Sequence, residues 1–341
     1  MASRATAGRQ KMTTESDEFV RLADPFRREL LVHCYRMLGS VDDAEDLVQE
    51  TYLRAWRAYD DFEGRSSLRT WLYRIATLAC LTALEHRSRR VLPSALVPAT
   101  GDPAAPMRRP DRDEVFVEPL PDALARTDTA DPATIVESRD EMRLAWTVAV
   151  QNLSAKQRAV LILRDVLAWR ASEVAELLDC STAAVNSALQ RARSQMQRLG
   201  DEPESTAGPR PQAGHEQLEA YVSAFENADV AKLVKLLRHD VVLEMPPFLN
   251  WFSGRDPVVR FLAARCTGGG IRMLPTAANG QPAVIAYFPE DDRPGDLLHA
   301  RTLHVLTTTE SGVSRIVAYR DKAVVSRFGL PATLPALARQ A

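Results

Sequence analysis

Hydrophobic and polar positions divide the chain into stretches of different period. From Phe19 to about Arg90, apolar residues recur at three- and four-residue steps: Leu30, Leu31, Cys34, Met37 and Leu38, then Ala44, Leu47, Val48, Tyr52, Leu53 and Trp56. That spacing predicts helices, each with one buried stripe. Gly39-Ser40 ends the first helix, and Asp42-Asp43 opens the next, where the helix dipole favours acid. Gly64 breaks the pattern again, and Ser66-Ser67 can cap a helix carrying Trp71, Leu72, Ile75 and Leu78. Helical spacing returns from about Pro132 to Leu199. Beyond residue 214 the pattern predicts helices at about 215–238 and 255–266. Strand-like runs follow at Val241–Met245, Ala283–Phe288, Leu298–Thr308 and Ser314–Tyr319. Helices followed by a block of strands predict an α+β domain.

Two Pro-rich breaks separate these stretches. The first, rich in Asp and Glu, includes Pro93, Pro98, Pro103, Pro106 and Pro110; it predicts an extended connector without fixed packing. The expected organisation is a helical domain at 16–92, a connector at 93–132 and a second helical domain at 133–200. A linker at 201–214, an α+β domain at 215–330 and a tail at 331–341 follow, and residues 1–15 read as a disordered lead. At 341 residues the chain is too long for one typical core, which agrees with this division.

A net charge of −2 argues against a uniformly basic nucleic-acid binder. The charge is unevenly placed, however: Arg and Lys outnumber Asp and Glu two to one in 142–200, and the reverse holds in 101–141. A basic module beside an acidic connector suits one DNA-facing part. Cys34, Cys80, Cys180 and Cys266 are scattered and form no C-x-x-C pair, so neither a disulfide framework nor a metal site is expected. The absence of an apolar run of membrane-spanning length, or of a signal core at the N-terminus, gives a cytoplasmic expectation with no membrane partner.

The sharpest local signal runs from Ser172 to Arg193 and reads as a helix-turn-helix. Ala175 is small where two helices approach, and Leu178, Val185 and Leu189 fill the angle between them. Asp179 stands where such turns usually carry Gly, and Asp tolerates a left-handed backbone better than most residues. Ser181 can cap the second helix. Thr182, Ala183, Asn186, Ser187, Gln190, Arg191 and Arg193 then face outward with Ser181; Asn, Gln and Arg can read base edges, and Arg191 or Arg193 can hold phosphate.

Residues His33–Ser40 with Asp43–Thr51 closely resemble the polymerase-binding segment of extracytoplasmic-function (ECF) sigma factors. Phe62–Ala76 resembles their minus-ten reader, and Gln157–Leu161 with the helix-turn-helix resembles their minus-thirty-five reader. The resemblance implies two all-α sigma domains, with core RNA polymerase (β′ clamp and β flap) and promoter DNA as partners. It makes Asp43, Glu45, Asp46, Gln49 and Glu50 the candidate polymerase-binding residues. Arg65, Ser66, Ser67, Arg69, Trp71, Tyr73 and Arg74 become the candidate minus-ten residues, mixing phosphate-binding cations with stacking rings; Tyr73 is expected to be the more exposed aromatic and Trp71 core. The family commonly has Asn and Asp near Leu78 and Thr82, and this chain does not. Under the same resemblance the acidic connector can occupy the channel that later carries RNA.

Residues 215–330 resemble the cone-shaped α+β SnoaL-like (nuclear-transport-factor-two-like) domain, through Tyr221 and Phe225, the Asp240–Pro247 run and Trp251–Asp256. That resemblance implies a regulatory domain packing against the sigma domains in the same chain. It also implies a candidate small-ligand pocket lined by Met245, Phe248, Trp251, Phe261, Tyr287, His299, Arg301 and Tyr319. Glu244 or His299 is a candidate base there, without the ordered acid/base pair that catalysis needs. No catalytic residue, cofactor or metal is assigned. Gly268-Gly269-Gly270 reads as a flexible loop, since no strand-to-helix context or Lys-Ser/Thr follows it.

Overall fold

The computed structural model describes residues 18–85, 89–111, 115–125, 142–200, 211–266, 270–290 and 293–336. The N-terminal lead, residues 126–141 of the first connector and second helical domain, residues 201–210 of the linker, Gly268-Gly269 and the end of the tail lie outside these. The chain divides into two compact units. One comprises 1–88, 124–134 and 149–198; the other comprises 89–123, 135–148 and 199–341.

The first unit is helical. Helices α1 (Arg27–Leu38), α2 (Val41–Arg57) and α3 (Leu68–Leu84) pack through the expected stripes, with Leu30, Cys34, Met37, Ala44, Val48, Leu72 and Cys80 almost fully buried. Gly39, at φ +71°, closes α1 by donating its N–H to Tyr35 O at 2.7 Å, a left-handed cap that suits glycine. The Ser40 side chain accepts from Asp43 N, and that of Ser67 from Thr70 N. After α4 (Leu144–Val150), whose residues 144–148 belong to the second unit, the first unit continues with α5 (Ala155–Leu161), a π-helical turn, α6 (Ala171–Leu177) and α7 (Thr182–Gly200). Arg158 of α5, 4% exposed, ties the two helical parts of this unit together. It donates to Met37 O at the end of α1, to Gln151 Oε1 at 2.6 Å and to Gln151 O at 3.1 Å.

The second unit is α+β. Helices α8 (Pro211–Glu226), α9 (Val230–Leu236) and α10 (Arg255–Cys266) accompany a sheet of β1 (Leu237–Glu244), β2 (Trp251–Ser253), β3 (Arg272–Ala278), β4 (Gln281–Glu290), β5 (Arg293–Thr309) and β6 (Gly312–Tyr319). The order is β2-β1-β6-β5-β4-β3, with β1 and β6 parallel; after a short α11 (Lys322–Ser326), β7 (Thr333–Pro335) pairs with β5. Strand alternation gives each face its own core. Val241, Leu243, Val284, Leu306 and Ile316 meet Tyr221, Phe225 and Phe261 of the helices on one face. On the other face, Ile285, Tyr287, Val305, Val317 and Tyr319 meet Val324 and Val325 of α11.

Three findings differ from the sequence expectation. The helix expected to reach 238 breaks at Ala228, φ +52°, and gives way to β1 at Leu237. Strands β2, β3 and β7 were not anticipated, being short or, in β3, interrupted by Pro275. Most consequentially, the described connector is packed at both ends. Leu92 and Val117 join the second core, Val91 pairs with Phe116, and Pro121 pairs with Ala278. The connector's apolar residues lack a period because prolines fix the backbone, yet they still find a sheet face to cover.

A buried histidine in this unit makes its stability depend on pH. His304 is 5% exposed and hydrogen-bonded through Nδ1 to the Tyr221 hydroxyl at 2.9 Å. Burial first, and then the Arg320 charge, lower its pKa from 6.5 to about 4. The unfolded chain takes up this proton as pH falls through 6.5, while the folded one stays neutral until about 4. Stability is therefore fully present above 6.5 and declines towards 4. Between pH 7 and 5 this linkage is expected to remove about 2 kcal/mol. His304→Gln should flatten the pH dependence of the unit's unfolding by that amount; an unchanged slope would refute the assignment.

Candidate nucleic-acid interface

Helix α2 presents a two-part surface. Its buried side is Val41, Ala44, Val48, Thr51 and Ala55. The opposite side carries Asp46 and Gln49, exposed, and then Leu53 and Trp56, which are 49% and 42% exposed. Asp43, Glu45 and Glu50 are half-buried at its margins, with Glu50 bridged to Arg54 at 2.7 Å. The acidic face is thus continuous with an apolar end that sequence reading assigned to the core. Leu53 and Trp56 fall off the 41–44–48–51–55 stripe, and that offset was the available signal.

Ahead of α3, Arg65 is exposed and Ser66 half-buried, while Ser67 serves as the cap. Trp71 is half-buried against Phe62, ring centroids 4.7 Å apart. Tyr73 is a correction to the expected exposure: it is 2% exposed, and its hydroxyl donates to Glu29 at 3.1 Å. It lies on the same side of α3 as Ala76, Thr77 and Cys80, and so cannot stack on a base without leaving the core. Burial, then the Glu29 charge, push its phenol well above the ordinary range. Glu29, which the sequence reading did not single out, also accepts from Arg69 Nε at 2.8 Å and Nη2 at 2.6 Å. Arg74 reaches Glu176 of α6 at 2.9 Å.

The helix-turn-helix is formed by α6, the turn at Asp179 (φ +46°) and α7. Ala175, Val185 and Leu189 are buried, Leu178 is half-buried, and Ser181 Oγ accepts from Ala184 N at 3.1 Å. Ser181, Thr182, Ala183, Asn186, Ser187, Gln190, Arg191 and Arg193 are all exposed. Asp165 grips Arg193 through both Nε (2.9 Å) and Nη2 (2.7 Å), a pairing that raises the guanidinium pKa. The cations at 69, 74 and 193 are therefore all held by carboxylates of the same unit.

The residues expected to line one pocket in the second unit do not converge. Met245 and Phe261 belong to the helix-covered core, Tyr287 and Tyr319 to the opposite one. Tyr287 donates to Pro331 O and Tyr319 to Val117 O. His299 is paired across the ladder with Phe288 and with Thr333, and Arg301 is half-buried. Phe248 lies under the guanidiniums of Arg109 and Arg320, and Trp251 donates its indole N–H to Val97 O at 2.8 Å. Glu244 is no base in a cavity. It is fully buried, ion-paired with Arg315 at 2.7 Å, and accepts from Ser94 N at 3.0 Å. Among the described residues a cavity of about 300 Å³ lies elsewhere, beside Asp122, Arg143, His215, Thr276 and Thr308. No helix described is long and apolar enough to cross a membrane.

Comparison with known proteins gives this geometry a context. The family model described as Sigma-70 region 2 matches residues 22–90, and that described as Sigma-70, region 4 matches residues 143–196. The ECF RNA polymerase sigma factor SigG of Mycobacterium tuberculosis (strain ATCC 25618 / H37Rv) is 46% identical over 333 residues, covering 96% of this chain and 88% of SigG. The ECF RNA polymerase sigma factor SigW of Bacillus subtilis (strain 168) is 26% identical over 54% of this chain and 89% of its own length. The crystal structure of the Mycobacterium tuberculosis extracytoplasmic function sigma factor SigJ superposes with a TM-score of 0.60 at 24% identity, covering 93% of this chain and 99% of that one. The SigJ likeness shows a shared fold: helical modules followed by a cone-like α+β domain.

Proposed function

This chain belongs to the family of ECF RNA polymerase sigma factors, and on that premise we propose how its parts divide the work. As a sigma factor it directs core polymerase to specific promoters and starts transcription there. The α2 face from Asp43 to Glu50, extended by Leu53 and Trp56, docks on the β′ clamp. Arg65, Arg69, Trp71 and Arg74 meet the minus-ten element, with Tyr73 holding α3 in place from inside. The exposed face of α7 reads the minus-thirty-five element, while the second helical module meets the β flap. The α+β domain regulates and does not catalyse: the connector joining the two helical modules is packed into it.

The observation that carries the reading is the α7 face, where eight polar or small positions stand exposed behind a capped, left-handed turn. Gln190 and Arg193 can make bidentate base contacts, each contributing about 1–3 kcal/mol of discrimination. Arg193 has first to leave Asp165. Replacing both with Ala is expected to weaken a cognate promoter at least 10-fold more than random duplex DNA, measured by binding and by in vitro transcription with core polymerase. Equal losses on both DNAs would reassign these residues to phosphate contacts. Failure of the wild-type chain to support transcription from any promoter in a library would overturn the assignment itself.

A further inference from the structure

The connector's middle is held differently from its ends. Val91, Leu92 and Pro93 on one side, and Phe116, Val117 and Leu120 on the other, are buried. Between them, no described residue from Ser94 to Asp111 is buried. This stretch is fastened mainly through its backbone, by the loop that leads into β2. Asn250, 4% exposed, makes a bidentate contact: Oδ1 accepts from Arg108 N at 2.6 Å, and Nδ2 donates to Pro106 O at 3.1 Å. Leu249 N donates to Arg108 O at 2.7 Å. Trp251 accepts from Thr100 N at 2.8 Å through its carbonyl, and its indole reaches Val97 O. Between the two groups that Asn250 reads, Met107 packs against the helix-side core.

We infer that Leu249, Asn250 and Trp251 form a peptide clamp whose occupant is the chain's own strap, residues 97–108, and that the clamp withholds this strap from core polymerase. Recognition of alternate backbone groups around one inserted side chain is how extended peptides are commonly bound. The prolines at 98, 103 and 106 stiffen the strap and reduce the entropy lost on docking. With none of its own described side chains buried, it is a segment that opens before the rest of its unit. Its anchored ends keep it at high local concentration, so the clamp recloses readily. The proposal rests on the sigma-factor reading for the identity of the competitor, whereas the clamp itself does not.

Asn250→Ala removes both side-chain contacts; Met107→Asp acts from the strap side and leaves the clamp whole. Hydrogen exchange on the full chain is expected to speed at least 10-fold at the amides of Thr100 and Arg108 in both variants, with the amides of β4 and β5 unchanged. In transcription with limiting core polymerase, both variants are expected to gain roughly threefold or more over wild type. Wild-type exchange in two folded variants would overturn the clamp. Faster exchange with unchanged transcription would overturn its role in withholding the strap. Absence of transcription by the wild-type chain would instead count against the sigma-factor reading and leave the exchange result standing.

Discussion

Lysine in place of both Asp46 and Glu50 is expected to weaken binding to core polymerase by at least about 100-fold while leaving the fold intact. The substitution changes the α2 face by four charge units, and like charges brought together at an interface cost several kcal/mol; each 1.4 kcal/mol is a factor of about ten. Asp46 is exposed and Glu50 is tied to Arg54 on its own helix, so removing them opens no core. Surface changes of this kind usually alter stability by no more than about 0.5 kcal/mol. Affinity measured against salt, alongside circular dichroism, checks both halves. A folded double variant that binds core polymerase with wild-type affinity would remove α2 from the interface.

The second large effect lies in the α+β unit. Glu244 is fully buried, with Arg315 and Ser94 N as partners. Glu244→Ala leaves a mostly buried guanidinium without its carboxylate, and Arg315→Ala leaves a buried carboxylate. Breaking one side of such a pair costs about 3–5 kcal/mol. For a unit of this size that lowers the unfolding midpoint by roughly 10 °C. Replacing both residues with apolar ones of similar volume is expected to recover most of the loss, since the desolvation penalty then disappears as well. Calorimetry of the two single variants and the double variant decides the matter. Single-variant losses under about 1 kcal/mol would mean that water already reaches the pair.

What the sequence revealed was local. The helix-turn-helix was legible because its determinants lie within a few residues: a small Ala175, a left-handed Asp179, a Ser181 cap and apolar steps at 185 and 189. Tyr73 was misplaced although the information was present, since it lies at helical spacing from the buried Ala76, Thr77 and Cys80. Glu244 is a similar case. Val241, Leu243 and Met245 point to one face, so period-two alternation already put Glu244 on the other. The connector was illegible for a different reason. Val91, Leu92, Val117 and Leu120 show no period, and their partners lie far along the chain, so neither spacing nor capping chemistry could disclose the packing.

That distance also sets a schedule during synthesis. Ser94 waits for Glu244, 150 residues later, and Val117 waits for Tyr319, 202 residues later. At about 5–20 residues per second, the ribosome takes roughly 10–40 s to close the longer of these gaps. The helical unit is composed of residues up to 198. It can therefore be complete while the sheet that captures its connector is still being made. Each newly made molecule is then expected to pass through an interval in which its helical modules are folded and its connector is uncommitted. A chain cut or stalled between Gly200 and β1 would stay in that condition permanently.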